Sequence, residues 1–209
     1  KNAVLEGCEI ALIEVTSEGV SQSRHRFINW DVVIFLNLHP EHIEAHGGFE
    51  RYREAKLQFF RDLRYSAKPK RHFILNGDDG NEAYFKSAAG TVPRGEIWIF
   101  HRREADQLVN QIKKEKNPDW LSASFVLEDV AAAAKTAEAL GVSIKKIIEG
   151  LNNFRGLRGR LDFIQKKPFA VVVDYAHTPD SLRAVYEALR DKKTRLICVL
   201  GSAGGGRDK

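Results

Sequence analysis

Val171-Val172-Val173-Asp174-Tyr175-Ala176-His177-Thr178-Pro179-Asp180-Ser181-Leu182 is the stretch on which the reading of this chain turns. Three consecutive valines predict a buried strand, and the polar run Asp174-Tyr175-Ala176-His177 falls where that strand ends. Thr178-Pro179-Asp180 then supplies a helix start: a capping hydroxyl, a proline at the first helical position, and a carboxylate at the positive end of the dipole. In an open α/β sheet, ligands bind in the crevice beyond the carboxyl ends of the strands. Asp174 and His177 therefore stand where chemistry is done. A lone Asp or His at such a turn more often serves only the local backbone.

The same alternation runs upstream. Residues 10–15, 32–37, 73–76 and 97–100 read as strands, and residues 49–65 read as a helix with apolar side chains at helical spacing. An Ala-rich helix over 130–140 is stopped by Gly141, and Ser143 opens a further helix over 144–151. After the polar linker 152–160 the pattern restarts, with a strand at 169–173, a helix at 179–190, a strand at 196–200 and a glycine-rich loop to Lys209. Helices alternating with β-branched runs predict an α/β fold with a mostly parallel sheet. A boundary near Gln165 to Pro168 divides the chain into residues 1–165 and 166–209. The second part is too small to bury a core of its own, so it is expected to open a larger domain.

The 43% hydrophobic content supports a globular core, and no apolar run approaches the roughly 20 residues of a membrane span. Lys1-Asn2-Ala3-Val4-Leu5-Glu6 enters directly into folded-looking sequence without a secretory leader. Cys8 and Cys198 fit no metal spacing and read as two reduced core thiols, so a cytoplasmic location is expected. The net charge of +5 is spread over Arg64, Lys68, Lys70 and Arg71, over Arg102 and Arg103, and over Lys113, Lys114 and Lys116. None of these groups interleaves with aromatics, which argues against a nucleic-acid partner. A modest positive field suits an anionic nucleotide substrate.

Two further clusters carry chemistry. Asn37-Leu38-His39-Pro40-Glu41-His42-Ile43-Glu44-Ala45-His46 follows a predicted strand and places three histidines and two carboxylates at its carboxyl end. Such runs are usually surface loops, but this position raises the prospect of a metal or phosphate site. It is not the zinc-protease pattern, because His42 and His46 bracket Ile-Glu-Ala. Further on, Phe49, Tyr52, Phe59 and Leu63 form one apolar helix face, and Lys56 falls on it. A lysine there either snorkels to solvent or, desolvated, offers a neutral amine.

Together these strings resemble the Mur ligase family, within it the members that add the third amino acid to UDP-N-acetylmuramoyl-dipeptide. Asp174 to Asp180 matches the family's D-Y-A-H-T-P-D over seven consecutive residues. The histidine cluster resembles N-L-x-x-D-H-L-D-x-H, with Glu41 and Glu44 in place of aspartates. Tyr52 to Phe60 resembles Y-x-x-A-K-x-x-L-F, and Glu14 to Arg24 resembles E-V-S-S-H-G-L-x-Q-x-R, with Glu18 in place of the histidine. Asn76-Gly77-Asp78-Asp79 resembles N-x-D-D, although a plain type I turn accounts for it equally well. Gly159-Arg160-Leu161-Asp162 resembles G-R-M-E, and Gly204 to Lys209 the start of G-G-D-R-D-K-G-K-R.

The resemblance implies a central ATPase domain of mostly parallel sheet with flanking helices, followed by the start of a Rossmann-like C-terminal domain. It implies two magnesium ions, with Glu14 and His42 as ligands, and a carbamylated Lys56 helping to hold the second. Lys56, Arg160 and His177 would be catalytic, with Arg160 on the transferring phosphoryl group. Asp174 would hold the ribose of ATP, Asn76 and Lys209 would contribute to the nucleotide site, and Ser17 and Arg24 would bind the UDP-muramoyl-dipeptide. The incoming amino acid would be meso-diaminopimelate or L-lysine, and the enzyme a cytoplasmic monomer with no membrane partner.

Two departures stand out. Where the family has F-N-V-x-N, this chain reads Phe125-Val126-Leu127-Glu128-Asp129, which puts Asp129 at the adenine position. A carboxylate accepts from the adenine amino group but cannot donate to N7. The family's G-x-x-G-K-T phosphate loop has no counterpart, so the chain is expected to be a piece of a longer enzyme and inactive alone. Cyanophycin and poly-γ-glutamate synthetases on the same scaffold, or a non-catalytic nucleotide-binding relative, are the alternatives.

Overall fold

The computed structural model describes residues 2–40, 43–112, 121, 123–190 and 195–201. The framework is a three-stranded parallel sheet, β1 (Val32–Phe35), β2 (Arg71–Asn76) and β3 (Gly95–Phe100), in the order β1-β2-β3. Short helices α1 (Asn2–Leu5) and α2 (Ser17–Ser21) precede it. α3 (Ile43–His46) and α4 (Phe49–Asp62), with a 3-10 turn at Leu63–Tyr65, carry the chain from β1 to β2, and α5 (Glu82–Gly90) carries it from β2 to β3. α6 (Arg102–Val109), α7 (Ser124–Ala139) and α8 (Ile144–Asn153) follow.

Side chains alternate across a strand, and that alternation builds two cores here. Val33, Phe35, Phe73 and Leu75 face one side and meet Tyr52, Phe59, Phe60 and Leu63 of the α4 region and Phe85 and Ala88 of α5. Val32, Ile34, Ile74, Trp98 and Phe100 face the other side and meet Ala105 and Leu108 of α6 and Val130 and Ala131 of α7. Phe35 and Phe85 stack with centroids 3.8 Å apart, and Phe60 meets Phe85 edge-on at 4.9 Å. Each fully buried Phe contributes about 1.5–3 kcal/mol. All six residues of β2 are buried, as a central parallel strand covered on both faces requires.

Local chemistry sets the helix ends. α7 stops in a Schellman motif: Gly141, at φ +81°, donates its N–H to Glu138 O, and the Val142 N–H reaches Ala137 O, both at 2.9 Å. α9 (Pro179–Leu189) opens with a reciprocal cap. Thr178 Oγ1 accepts from the Ser181 N–H at 3.2 Å, and Ser181 Oγ accepts from the Thr178 N–H at 3.0 Å.

The structure departs from the sequence reading in several places. Residues 10–15 form no strand; Ile10 and Leu12 are 83% and 90% exposed, and no described strand pairs with them. A strand exists by its partners, so β-branched content alone does not make one. α7 begins at Ser124, six residues before position 130, because Val126, Leu127 and Val130 already point to the sheet at helical spacing. The segment expected as a linker contributes the end of α8 and an isolated Leu157–Arg160 bridge, and is followed by an unforeseen strand, β4 (Asp162–Gln165). β4 pairs antiparallel with β5 (Val171–Val173), across the interval where the sequence analysis places a boundary. Residues 196–200 carry no regular structure, Cys8 and Cys198 are exposed rather than in the core, and β5 is only partly buried, with Val173 47% exposed. Among the described residues, no helix is long and apolar enough to cross a membrane.

Candidate active site

The loops beyond β1, β2 and β3 converge at the carboxyl end of the sheet. Asn76, the last residue of β2, is 3% exposed, and its amide is engaged within the protein. Its Nδ2 donates to Leu36 O at 2.7 Å, and its Oδ1 accepts from the Asp78 N–H at 2.9 Å. Asp79 Oδ2 accepts from the Leu38 N–H at 3.1 Å, and its Oδ1 caps the Asn81 N–H at 2.7 Å. Asn76 and Asp79 thus staple the exits of β1 and β2 together.

Asp78 reaches the other way, to the exit of β3. Its Oδ1 accepts from His101 Nδ1 at 2.8 Å, and its Oδ2 from the Arg102 N–H at 2.7 Å, which caps α6. The His101 hydrogen bond, then the Arg102 N–H, hold the Asp78 carboxyl below the usual range. His101 lies so close over Gly77 that a Cβ there would sit 2.4 Å from its Cε1 and 2.7 Å from Ile99 Cγ2. Glycine is therefore required by close approach. Glu128 of α7 faces this same crevice. Burial pushes its carboxyl up, with Arg102 opposing and Asp78 reinforcing.

A second group sits where α2, α3 and α4 meet. Thr16 Oγ1 caps α2 through the Gly19 N–H at 3.0 Å. Ser17, 5% exposed, has its hydroxyl 3.0 Å from His46 Nε2, and the His46 ring lies against Tyr52 at 5.7 Å. Lys56, half-buried one turn further along α4, places its ammonium 5.2 Å from the Tyr52 ring centroid. Arg24 is exposed and folds back over α2, with its Cδ 3.9 Å from where a Gly19 Cβ would stand. Ser17 and Lys56, separated in sequence, thus meet around His46 and Tyr52, and Arg24 lies over α2, the helix that carries Ser17.

The third group lies around β4 and β5. Asp174 accepts from two backbone N–H groups, Leu161 at 2.8 Å and Ala176 at 2.7 Å, one on each carboxylate oxygen. Each oxygen keeps a lone pair for a further donor. The exposed Arg160 guanidinium lies 5.0 Å from the Tyr175 ring centroid, and Tyr175 meets His177 edge-on at 5.2 Å. His177 Nδ1 donates to Tyr175 O at 3.0 Å. Phe125 and Val126 pack with Leu161, Val172, Ala176 and Val185, which brings the start of α7 to this group. Asp129 keeps contact with solvent, yet burial around its carboxyl and the neighbouring Glu128 push it above the usual range, while Arg160 pulls it down.

Of the two expected metal ligands, the described residues include Glu14. Glu14 lies exposed in the irregular segment before α2, and His42 lies outside the described residues, as does Lys209. A carboxylate is the hard donor that magnesium takes. Among the described residues, however, no three His, Cys, Asp or Glu side chains converge on a common point.

Comparison with known proteins agrees with this architecture. The profile of the Mur ligase middle domain matches residues 1–136, and that of the Mur ligase glutamate ligase domain matches residues 159–209. The chain belongs to the Mur ligase family. It is 34% identical over 220 residues to the UDP-N-acetylmuramoyl-L-alanyl-D-glutamate–2,6-diaminopimelate ligase of Bacillus velezensis, covering 98% of this chain and 45% of that protein. The enzyme of the same name from Gloeobacter violaceus is 31% identical, over 97% of this chain and 43% of its own length. The chain thus spans a little under half the length of these curated relatives. A solved structure of a UDP-N-acetylmuramoyl-L-alanyl-D-glutamate–2,6-diaminopimelate ligase superposes with a TM-score of 0.68 at 23% identity, over 90% of this chain and 41% of that one. The D-alanyl-D-alanyl-adding ligase of Acinetobacter baumannii superposes at 0.56 and 23% identity, over 76% of this chain and 37% of its own.

Sequence reasoning missed three features of this region. His101 carried no motif, and its link to Asp78 spans 23 residues. The Ser17–His46 contact crosses three elements. The pairing of His25 with Asp62 had no signal except two polar residues beside apolar ones.

Proposed function

We propose that the protein containing this chain is an ATP-dependent ligase of peptidoglycan precursor synthesis. It joins a third amino acid to UDP-N-acetylmuramoyl-L-Ala-D-Glu. The names of the relatives favour meso-diaminopimelate over L-lysine as that amino acid. The reading carries with it a cytoplasmic, monomeric enzyme. The observation that supports it most is the grouping of Arg160, Asp174, Tyr175 and His177 beside the start of α7, where a nucleotide would lie between the sheet and the β4–β5 unit.

The reaction needs two displacements. The D-Glu side-chain carboxylate attacks the γ-phosphorus of ATP, giving an acyl phosphate and ADP. The amine of the incoming amino acid then attacks the acyl carbon, phosphate leaves, and the amine loses a proton. Arg160 offers a planar guanidinium that matches phosphoryl oxygens two at a time, and its exposure leaves it accessible to them. Asp174, with one lone pair left on each oxygen, is suited to accept from ribose hydroxyls. Asp129 and Glu128 face the base side of this space with carboxyls that hold protons more tightly than usual. Ser17 and Arg24 hold the nucleotide-peptide, and Lys56, carbamylated, belongs to the same face. Glu14 and His42 are the proposed magnesium ligands; no step here depends on them. Asn76 acts through the turn it holds.

The test is a product assay on the full-length protein with ATP and either UDP-muramoyl-dipeptide or peptide and polyglutamate acceptors. Amide formation confined to the muramoyl-dipeptide is expected. Activity confined to the other acceptors would move the assignment to a cyanophycin- or polyglutamate-type ligase, and no activity with any acceptor would favour a non-catalytic relative.

A further inference from the structure

Between α2 and β1 the chain makes a compact return whose buried side chain is His25, with Trp30 partly buried beside it. The residue is buried, with His25 and Asp62 side chains 3% and 6% exposed, and Nε2 donates to Asp62 Oδ2 at 2.8 Å. Asp62 closes the last turn of α4, and its other oxygen accepts from Gln58 Nε2 at 2.6 Å. The His25 ring meets Phe59 edge-on at 5.4 Å. Trp30 Nε1 donates to His25 O at 3.0 Å within the return, and two more bonds pin it to the same end of α4: Ser66 Oγ to Trp30 O at 2.8 Å, and the Ala67 N–H to Asn29 Oδ1 at 2.9 Å.

A surface loop does not need a buried imidazole–carboxylate pair merely to turn round. This one is also held in a demanding shape, because Ser23 and Phe27 adopt φ +59° and +66° without being glycine. Such conformations persist where surrounding contacts over-determine them. The outcome concerns the neighbours of His25. Arg24 and Arg26 flank it and are both exposed, while the Arg24 N–H is tied to Gly19 O at 2.9 Å. With His25 drawn inward, Arg24 folds over α2, the helix whose Ser17 meets His46.

We infer that the His25–Asp62 pair is a positioning device that fixes the Arg24 guanidinium for the anionic nucleotide-peptide. The inference rests on the proposed role of Arg24 in binding that substrate. His25 touches no substrate; it acts through Arg24 by setting the backbone on either side. A histidine is suited to this because Nε2 reaches the carboxylate while the ring fills space against Phe59.

The test uses the full-length protein and steady-state kinetics with UDP-muramoyl-dipeptide as the varied substrate. Arg24→Ala and His25→Ala are each expected to raise KM by roughly tenfold or more with kcat little changed, the pattern of lost ground-state binding. The double variant should be no worse than Arg24→Ala alone, because one residue works through the other. His25→Gln, which places an N–H donor near the Nε2 position, should restore most of the affinity. Thermal unfolding of each variant identifies loss of fold, in which case the Gln variant and the double variant decide. If Arg24→Ala leaves KM unchanged, the substrate role of Arg24 fails. If Arg24→Ala raises KM but the His25 and Arg24 effects multiply in the double variant, the positioning role is overturned while that of Arg24 stands.

Discussion

His46 Nε2 stands 3.0 Å from the buried hydroxyl of Ser17, joining residues 29 positions apart at the meeting point of α2, α3 and α4. The contact gives the proposed substrate face a polar floor, built against the Tyr52 ring that Lys56 also approaches. The carboxyl end of the sheet is built likewise: Asn76, Asp78 and Asp79 tie three strand exits to one another. Both regions are held by side chains bonded to backbone or to one another, so their stability can be probed apart from any ligand.

Gly77→Ala should destabilise the protein by about 1–3 kcal/mol, since the added methyl meets His101 and Ile99 far inside contact distance. Denaturant unfolding reads the loss. Adding His101→Ala should return part of it, and an equal loss in both backgrounds would place the strain elsewhere.

Asn76→Ala removes a donor and an acceptor that are both buried, leaving Leu36 O and the Asp78 N–H without that partner. Each orphaned group costs roughly 1–3 kcal/mol, so a loss of several kcal/mol is expected in the same measurement. A loss of under half a kcal/mol would mean that solvent or a shifted turn replaces the amide.

Asp129 supplies a pH dependence. Burial, with Glu128 beside it, raises its folded pKa above the unfolded value, against the pull of Arg160. A carboxyl that binds its proton more tightly when folded costs stability wherever the unfolded state is ionised, and the cost fades as pH falls below the unfolded value near 4. Asp129→Asn should therefore raise Tm at neutral pH and change it little at pH 3. Asp78 has the opposite sign. Its bonds to His101 and Arg102 lower the folded pKa, so its stabilisation is present above the unfolded value and lost as pH falls through the folded one. Asp78→Asn should lower Tm at neutral pH and lose that effect in acid. A pH-independent difference for either variant would contradict the electrostatic account.

How much of this was legible in sequence depended on the range of the interactions. The Thr178 cap was readable because it is set by a few adjacent residues, and Val171–Val173 by its valine run, although its partner β4 was not. The sheet strands β1, β2 and β3 announced themselves by apolar runs that two-sided burial demands. Residues 10–15 carry the same composition without a partner, and β4, with Asp162 and Gln165 at its ends, has a partner without the composition. Asp174 and Arg160 were found through motifs, whereas His25–Asp62 and Asp78–His101 were not. Their chemistry exists only once the chain has closed loops of 37 and 23 residues.

Lys56→Ala in the full-length protein should abolish activity with the fold intact, because alanine is a strong helix former at a half-buried site in α4. If the lysine acts as a carbamate, acetate or formate should restore part of the rate. An active alanine variant would remove Lys56 from the mechanism. A dead variant that no small acid rescues and that has lost its thermal transition would make it a packing residue.

The most direct test of the central claim follows oxygen. UDP-muramoyl-dipeptide labelled with 18O in the D-Glu side-chain carboxylate is turned over by the full-length protein with ATP and meso-diaminopimelate. An acyl phosphate intermediate predicts one labelled oxygen in each phosphate released, and one lost from each amide formed. Amide formation with unlabelled phosphate, or phosphate release that does not require the muramoyl-dipeptide, would contradict the account.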